Sequence, residues 1–154
     1  MRTAFLWLHV ISGVIWIGTS AVTTVAANAL TFNTDEFREF VSKAIPTIDR
    51  VNICAALALL ITGLVNFLLL ATPVAFDLPS MFVVVLGLKV ILFAAMAVAL
   101  VAIFRGETQL KSAARSEAAG WGAAKMIRIG ILSGLTAVLG AIALTLGVWL
   151  AGTL

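Results

Sequence analysis

The residue with the most chemical potential in this chain is its single histidine, His9. It lies inside the apolar segment 6–27, and an ionisable side chain in such a segment usually faces the interior of a helix bundle or a water-filled cavity. On an α-helix, the face that carries His9 also carries small, hydroxyl-bearing and aromatic residues, namely Ser12, Gly13, Trp16, Ser20 and Thr23. The opposite face is Val, Ile and Leu. We therefore expect any chemistry to be built against the His9 face.

A lone imidazole in a low-dielectric helix bundle is well suited to axial ligation of a haem iron, whose reduction potential is tuned by burial and by neighbouring groups. Beside His9, Gly13 would leave room for the macrocycle and Trp16 would pack on it. The sequence contains no Ser-His-Asp set, no phosphate-cradling glycine loop and no His/Cys cluster suited to zinc. The expected cofactor is therefore a haem, with His9 as the metal ligand.

Two further polar residues are expected close to His9. Taking 1.5 Å per helical residue, His9 lies about 9 Å into its span and Lys89 about 12 Å into another, both measured from the same membrane face. Asn66 lies near the same end of its own span, and Lys89 is placed to pair with a haem propionate. Simpler interpretations stay open. His9 is then a packed histidine bonded to a hydroxyl, Asn66 an interhelical hydrogen bond, and Lys89 a side chain reaching toward the interface.

The elements that position these residues are membrane spans. The chain is 62% hydrophobic and 11% charged, whereas a soluble domain is about a quarter charged. Apolar runs at about 3–28, 51–71, 81–104 and 126–152 each suffice to cross a hydrocarbon core of about 30 Å, and in lipid they must be helices. The sequence thus predicts an all-α integral membrane four-helix bundle, a single domain over 1–154. A short interfacial helix at about 34–44, ended by Pro46, joins the first two spans.

The orientation follows from the basic residues. One side of the predicted bundle carries Arg38, Lys43, Arg50, Arg105, Lys111, Arg115, Lys125 and Arg128. The other side carries only Arg2, so the positive-inside rule places both termini outside and predicts a multi-pass protein of the inner (cytoplasmic) membrane. The net charge of +3 is then a consequence of topology. The lipid bilayer is the expected partner, and no nucleic-acid partner is expected.

Small residues recur in the fourth span. Gly130 and Gly134 form a GxxxG pair, followed by Gly140 and Gly147. Such spacings let helix backbones approach closely. The partner helix is either in the same chain or in a second protein, so the Gly130/Gly134 face is a candidate contact for a homo-oligomer or a larger membrane complex.

The stretch from His9 to Gly18, with Trp16 inside it, resembles the first-span signature of the CopD-like and HemJ-like membrane proteins. The likeness continues through all four spans, at Arg50, Thr62-Gly63, Leu88-Lys89, Arg105 and Arg128. HemJ-like proteins are haem-b-containing protoporphyrinogen oxidases, and CopD-like proteins are linked to copper uptake. The residues after Arg128 differ from the polar HemJ pattern. The resemblance therefore implies haem b and membrane redox chemistry rather than that one reaction.

The leading hypothesis is a membrane haem-b-binding protein for electron transfer or redox chemistry, a b-type cytochrome whose enzymatic form would be a membrane oxidoreductase. One alternative is a CopD-like transport protein for copper or a small solute, although the spans carry few sulfur or imidazole ligands for a soft metal. Another alternative is a cofactor-free accessory subunit of a larger membrane complex.

Overall fold

The structure is a computed structural model that describes residues 2–30, 35–75, 79–115 and 119–153. Regular secondary structure in these ranges is entirely helical, with no β-strand among them. Four helices are long and apolar enough to cross a membrane. The predicted all-α, four-span architecture is therefore confirmed, whereas the placement of both termini outside stays a prediction.

The helices in chain order are α1 (Arg2–Ala29), the short α2 (Asp35–Glu39), α3 (Ile45–Ala71), α4 (Ser80–Arg115) and α5 (Ala119–Thr153). A π-helical turn, Phe40–Ala44, connects α2 to α3, and a 3-10 turn, Thr72–Val74, follows α3. Both α4 and α5 extend beyond the predicted spans, α4 at its C-terminal end and α5 at its N-terminal end.

Pro46 does not end the short helix, although the sequence predicted that it would. Proline lacks the amide hydrogen of an α-helical bond and clashes with the carbonyl four residues earlier. The turn before it is π-helical, with the amide of Ile45 donating to the carbonyl of Phe40, so the bonding has already left the α pattern. Pro46 then occupies the first turn of α3, where a missing amide is tolerated. The second apolar helix consequently starts at Phe40 instead of at about residue 51.

The short helical segment packs on the bundle. Phe37 and Val41 are buried, and they form a cluster with Ile45 and with residues of the adjoining ends of α4 and α5, namely Ile103, Met126 and Ile129. The apolar stripe of this segment is thus directed at other helices. It closes the end of the bundle remote from His9.

α1 is the central helix of the bundle. It packs against α3 on one side and against α5 on the other, and α5 in turn packs against α4. By contrast, α3 and α4 contact each other only sparsely. The sequence accounts for the central position of α1, since its buried stripe is largely short side chains that allow close helix approach, with one tryptophan among them: Ser12, Trp16, Ser20, Thr23 and Ala27.

The glycines of α5 serve packing within the chain. A Cβ atom added to Gly130 would lie only 2.8 Å from the Cβ of Ala27, and one added to Gly134 would meet Thr24 at 3.5 Å. The Thr24 hydroxyl also lies 3.3 Å from the Gly130 carbonyl, as a donor. The Gly130/Gly134 face is therefore covered by α1, and the predicted contact through it to another protein is corrected. A homo-oligomer or larger complex stays a prediction, but the Gly130/Gly134 face is no longer its candidate contact surface.

The opposite face of α1 is apolar and exposed. Trp7, Val14 and Val25 are 63%, 53% and 66% exposed, respectively. Large exposed apolar side chains at this density are disfavoured in water but suit a lipid environment. The four apolar helices and this outer surface describe a multi-pass membrane protein.

Candidate functional site

His9 lies partly buried between α1 and α3. Its Nδ1 atom is 2.9 Å from the hydroxyl oxygen of Thr62, which is itself only 2% exposed. The Thr62 hydroxyl donates its proton to the carbonyl of Ala58, one turn earlier in α3. While the Thr62 hydroxyl donates its single proton to Ala58, it can only accept from His9, and this arrangement places the hydrogen on Nδ1. The lone pair of the neutral ring is then on Nε2.

Nε2 has no hydrogen-bond partner within the part of the chain that the structure describes. The carbonyl of Leu59 lies 3.4 Å from the hydroxyl oxygen of Thr62, next to this hydrogen bond. Metal-bound histidines commonly donate their other ring N–H to such an acceptor, which fixes both the tautomer and the orientation of the ring. Within the described residues, this arrangement leaves Nε2 as the ring nitrogen that no hydrogen bond occupies.

Gly63 allows the ring to approach α3. A Cβ atom at this position would lie 3.2 Å from Cε1 of His9 and 3.7 Å from Nδ1, so any side chain here would press on the imidazole. Thr62 and Gly63 therefore hold the ring from adjacent positions of one helix. Reasoning from chemistry alone missed both residues. The available signal was a hydroxyl followed by a glycine inside an otherwise apolar span.

Lys89 reaches this region from α4. A Cβ atom added to Gly147 of α5 would lie 2.8 Å from the Lys89 amine nitrogen, so Gly147 makes room for the lysine. Lys89 is also close enough to His9 for their charges to interact. No carboxylate pairs with Lys89 among the described residues. The region accordingly combines two nitrogen bases without an acidic counterpart.

Asn66 joins α3 to α1 one turn from His9. Its side-chain amide donates to the backbone carbonyl of Phe5 at 3.3 Å, an interhelical bond of the kind the simpler interpretation expected. Its buried Oδ1 atom has no donor within the described ranges. Asn66 therefore stabilises the α1–α3 contact, and its Oδ1 atom is an acceptor that no described donor uses, one turn from His9.

Ser12 and Gly13 do not reach the imidazole ring. The Ser12 hydroxyl donates to the carbonyl of Leu8 at 2.8 Å, within α1. A Cβ atom on Gly13 would lie 3.8 Å from Cδ2 of Leu59, an ordinary van der Waals contact. Leu59 thus lies next to Gly13, and the expectation that a macrocycle occupies this space stays a prediction.

Trp16 is a core residue two turns from His9. It is fully buried and packs edge-on against Phe93 of α4, with ring centroids 5.8 Å apart and an interplanar angle of 78°. Met96 and Leu100 complete this cluster. The indole Nε1 has no acceptor among the described residues. Trp16 therefore forms an apolar floor about 10 Å along α1 from His9 rather than a surface beside the ring.

The structure thus groups three of the predicted site residues, His9, Asn66 and Lys89, at one end of the bundle. Ser12, Gly13 and Trp16 share the buried face of α1, but they serve helix packing. The side of the bundle between α3 and α4 is the least tightly closed, because these two helices make few contacts. A ligand that reached His9 laterally would meet least resistance there.

A second polar contact between α1 and α3 lies away from this group. The Thr19 hydroxyl donates to the side-chain oxygen of Asn52, and Asn52 is buried. Among the described residues, no group of three or more His, Cys, Asp or Glu side chains is placed to hold a metal ion. Within these ranges, metal binding by His9 would therefore be single-point ligation.

Comparison of the chain with protein-family models, with curated proteins and with solved structures found no match. The likeness to CopD-like and HemJ-like proteins therefore stays a prediction.

Proposed function

We propose that this protein binds haem b within the membrane through Nε2 of His9 and takes part in electron transfer or redox chemistry. The observation that carries the proposal is the hydrogen bond from His9 to Thr62. With the Thr62 hydroxyl donating to Ala58, this bond favours the tautomer that carries its proton on Nδ1 and leaves Nε2 as a nitrogen donor in an apolar bundle. A histidine that served packing alone would gain nothing from an unpartnered second nitrogen.

The other residues at this end of the bundle fit the same group. Haem b has an apolar macrocycle and two anionic propionates. Lys89, when protonated, is the cation that a propionate would pair with, and it has no competing carboxylate among the described residues. The sparse contact between α3 and α4 supports entry of the macrocycle from that side. The floor formed by Trp16 and Phe93 limits how deeply it could sit.

Bound haem would supply one-electron exchange at its iron. The chain's own part is to set the conditions for that exchange. Thr62 holds the Nδ1 proton and so makes His9 a more basic ligand. Lys89 contributes positive charge, which favours the reduced, less positive cofactor and raises the reduction potential. The apolar walls exclude water and strengthen both effects.

The membrane is proposed to be the inner (cytoplasmic) membrane, with both termini and the His9 end of the bundle on its outer side. The uneven distribution of basic residues supports this orientation. Electrons would then be exchanged close to the outer surface.

The test is a reduced-minus-oxidised visible spectrum of the purified protein, beside His9→Ala and a matched control, Asn52→Ala. Both variants lose a polar contact between α1 and α3, but only the first removes the proposed ligand. We expect sharp b-type bands in the wild type and in Asn52→Ala, and their loss in His9→Ala. A wild type without bands, or a His9→Ala variant with full haem content, would overturn the proposal.

A further inference from the structure

A groove of about 610 Å³ lies between α4 and α5, at the end of α4 remote from Lys89. Three basic residues line it: Arg105 of α4 and Lys125 and Arg128 of α5. It is separate from the His9 region, since Arg105 follows Lys89 by about 24 Å along the helix. Whatever it binds is therefore independent of the proposed haem site.

The two arginines of this groove are available to a ligand. Arg105 and Arg128 are exposed, and neither pairs with a carboxylate among the described residues. Glu107, the acidic residue nearest to Arg105 in sequence, is only 3% exposed and does not line the groove. The groove thus presents two unneutralised guanidinium groups, with Lys125 beside them.

The rest of the groove is apolar. Ala97, Val98, Val101 and Leu132 form its wall, and Val98 and Val101 are 70% and 50% exposed. From Arg105 to Ala97 the wall descends about 12 Å along α4. Arg105 lies near the end of the span Ser80–Thr108, so the charges are at the membrane boundary and the wall runs into the hydrocarbon region.

We propose that this groove binds an anionic phospholipid. Its phosphate would lie on Arg105 and Arg128, because guanidinium groups bind phosphate oxygens in a bidentate manner. One acyl chain would cover the wall formed by Val98 and Val101. A basic pocket between membrane helices is a known type of site for anionic head groups. A soluble phosphate would satisfy the charges but leave the apolar wall uncovered, which is why the lipid is the preferred occupant.

The test is native mass spectrometry of the full-length protein in a neutral detergent. Dioleoylphosphatidylglycerol, dioleoylphosphatidylcholine and glycerol 1-phosphate are each titrated into it. The double variant Arg105→Gln/Arg128→Gln removes the proposed phosphate contacts. The matched control Lys43→Gln/Arg50→Gln removes the same number of charges from exposed positions outside the groove. A third variant, Ala97→Leu, places a larger side chain in the apolar wall and so narrows the groove without changing any charge.

We expect phosphatidylglycerol to bind the wild type at least about tenfold more tightly than phosphatidylcholine, with a loss of about tenfold or more in Arg105→Gln/Arg128→Gln. Lys43→Gln/Arg50→Gln should retain wild-type affinity, and Ala97→Leu should weaken phosphatidylglycerol binding. Equal binding of the two lipids, or equal losses in the two double variants, would overturn the proposal. Binding of glycerol 1-phosphate as tight as that of phosphatidylglycerol would also overturn it and would indicate a soluble-phosphate site.

Discussion

Replacement of Thr62 by valine is the sharpest single perturbation of the His9 site. Valine has nearly the shape of threonine, so α3 keeps its packing while the acceptor 2.9 Å from Nδ1 of His9 is lost. Thr62 is 2% exposed, and water cannot readily replace the missing oxygen. An N–H left without its partner in such a place costs about 1–3 kcal/mol.

The expected magnitude lies in the lower part of that range. The carbonyl of Leu59 lies 3.4 Å from the Thr62 hydroxyl oxygen and is a neighbouring acceptor that can recover part of the lost interaction. We expect about 1.4 kcal/mol, which corresponds to a roughly tenfold weaker affinity for haem. Loss of a hydrogen-bond partner of a metal-bound histidine typically weakens metal affinity by about 10- to 100-fold, so the expected tenfold loss is at the low end of this range.

The assay is a titration of the apoprotein with haemin in detergent, followed by Soret absorbance. Thr62→Ser keeps the hydroxyl and should retain near wild-type affinity. Thr136→Val makes the same chemical change at another buried threonine, whose hydroxyl donates only within its own helix, to Leu132 at 2.9 Å. Equal affinities for Thr62→Val and Thr136→Val would refute the assignment of Thr62 as the residue that orients His9.

Three further predictions follow from the packing of the bundle. Gly63→Ala places a Cβ 3.2 Å from Cε1 of His9, so haem affinity should fall, whereas Gly87→Ala, with nothing within 4 Å, should leave it unchanged. Gly130→Ala brings its new Cβ atom to 2.8 Å from the Cβ of Ala27, and neither atom can rotate away, so the fold should be destabilised by about 1–3 kcal/mol. Thermal unfolding in detergent, with Gly87→Ala as the control, measures this effect. Equal melting temperatures of the two variants would contradict the prediction. Lys89→Met should lower the midpoint potential of bound haem in a redox titration, because it removes positive charge near the iron. Lys89→Arg keeps the charge and should preserve the potential. An unchanged potential in Lys89→Met would place the lysine outside the electrostatic reach of the cofactor.

The four spans and the buried face of α1 could be predicted from the sequence. One face of α1 carries small and polar residues, including Ser12, Ser20 and Thr23, and the opposite face carries large aliphatic residues. The sequence of α1 alone therefore indicates which face turns toward the other helices. α3 is apolar on nearly every side, and its sequence does not indicate which face meets α1. For this reason Thr62 could not be identified in advance as the partner of His9.

Other features depend on which helices are neighbours, which spacing within one helix does not specify. Gly13 lies next to Leu59 of α3, a neighbour that the sequence of α1 alone does not reveal. The Gly130 and Gly134 pair indicated a close helix contact but not that α1 of the same chain makes it. Pro46 was expected to end a helix, yet the π-helical turn before it carries the helix through. In each case a tertiary contact or an adjustment of the backbone decided the outcome.

The most direct test of the central claim uses the fact that the chain contains one histidine. The protein would be produced with ¹⁵N-labelled histidine and a histidine-free affinity tag, loaded with haem and studied by pulsed electron paramagnetic resonance of the ferric iron. Our account predicts a strong hyperfine coupling to ¹⁵N from His9, which the Thr136→Val control retains. A haem-loaded protein whose iron couples to no ¹⁵N nucleus would contradict it.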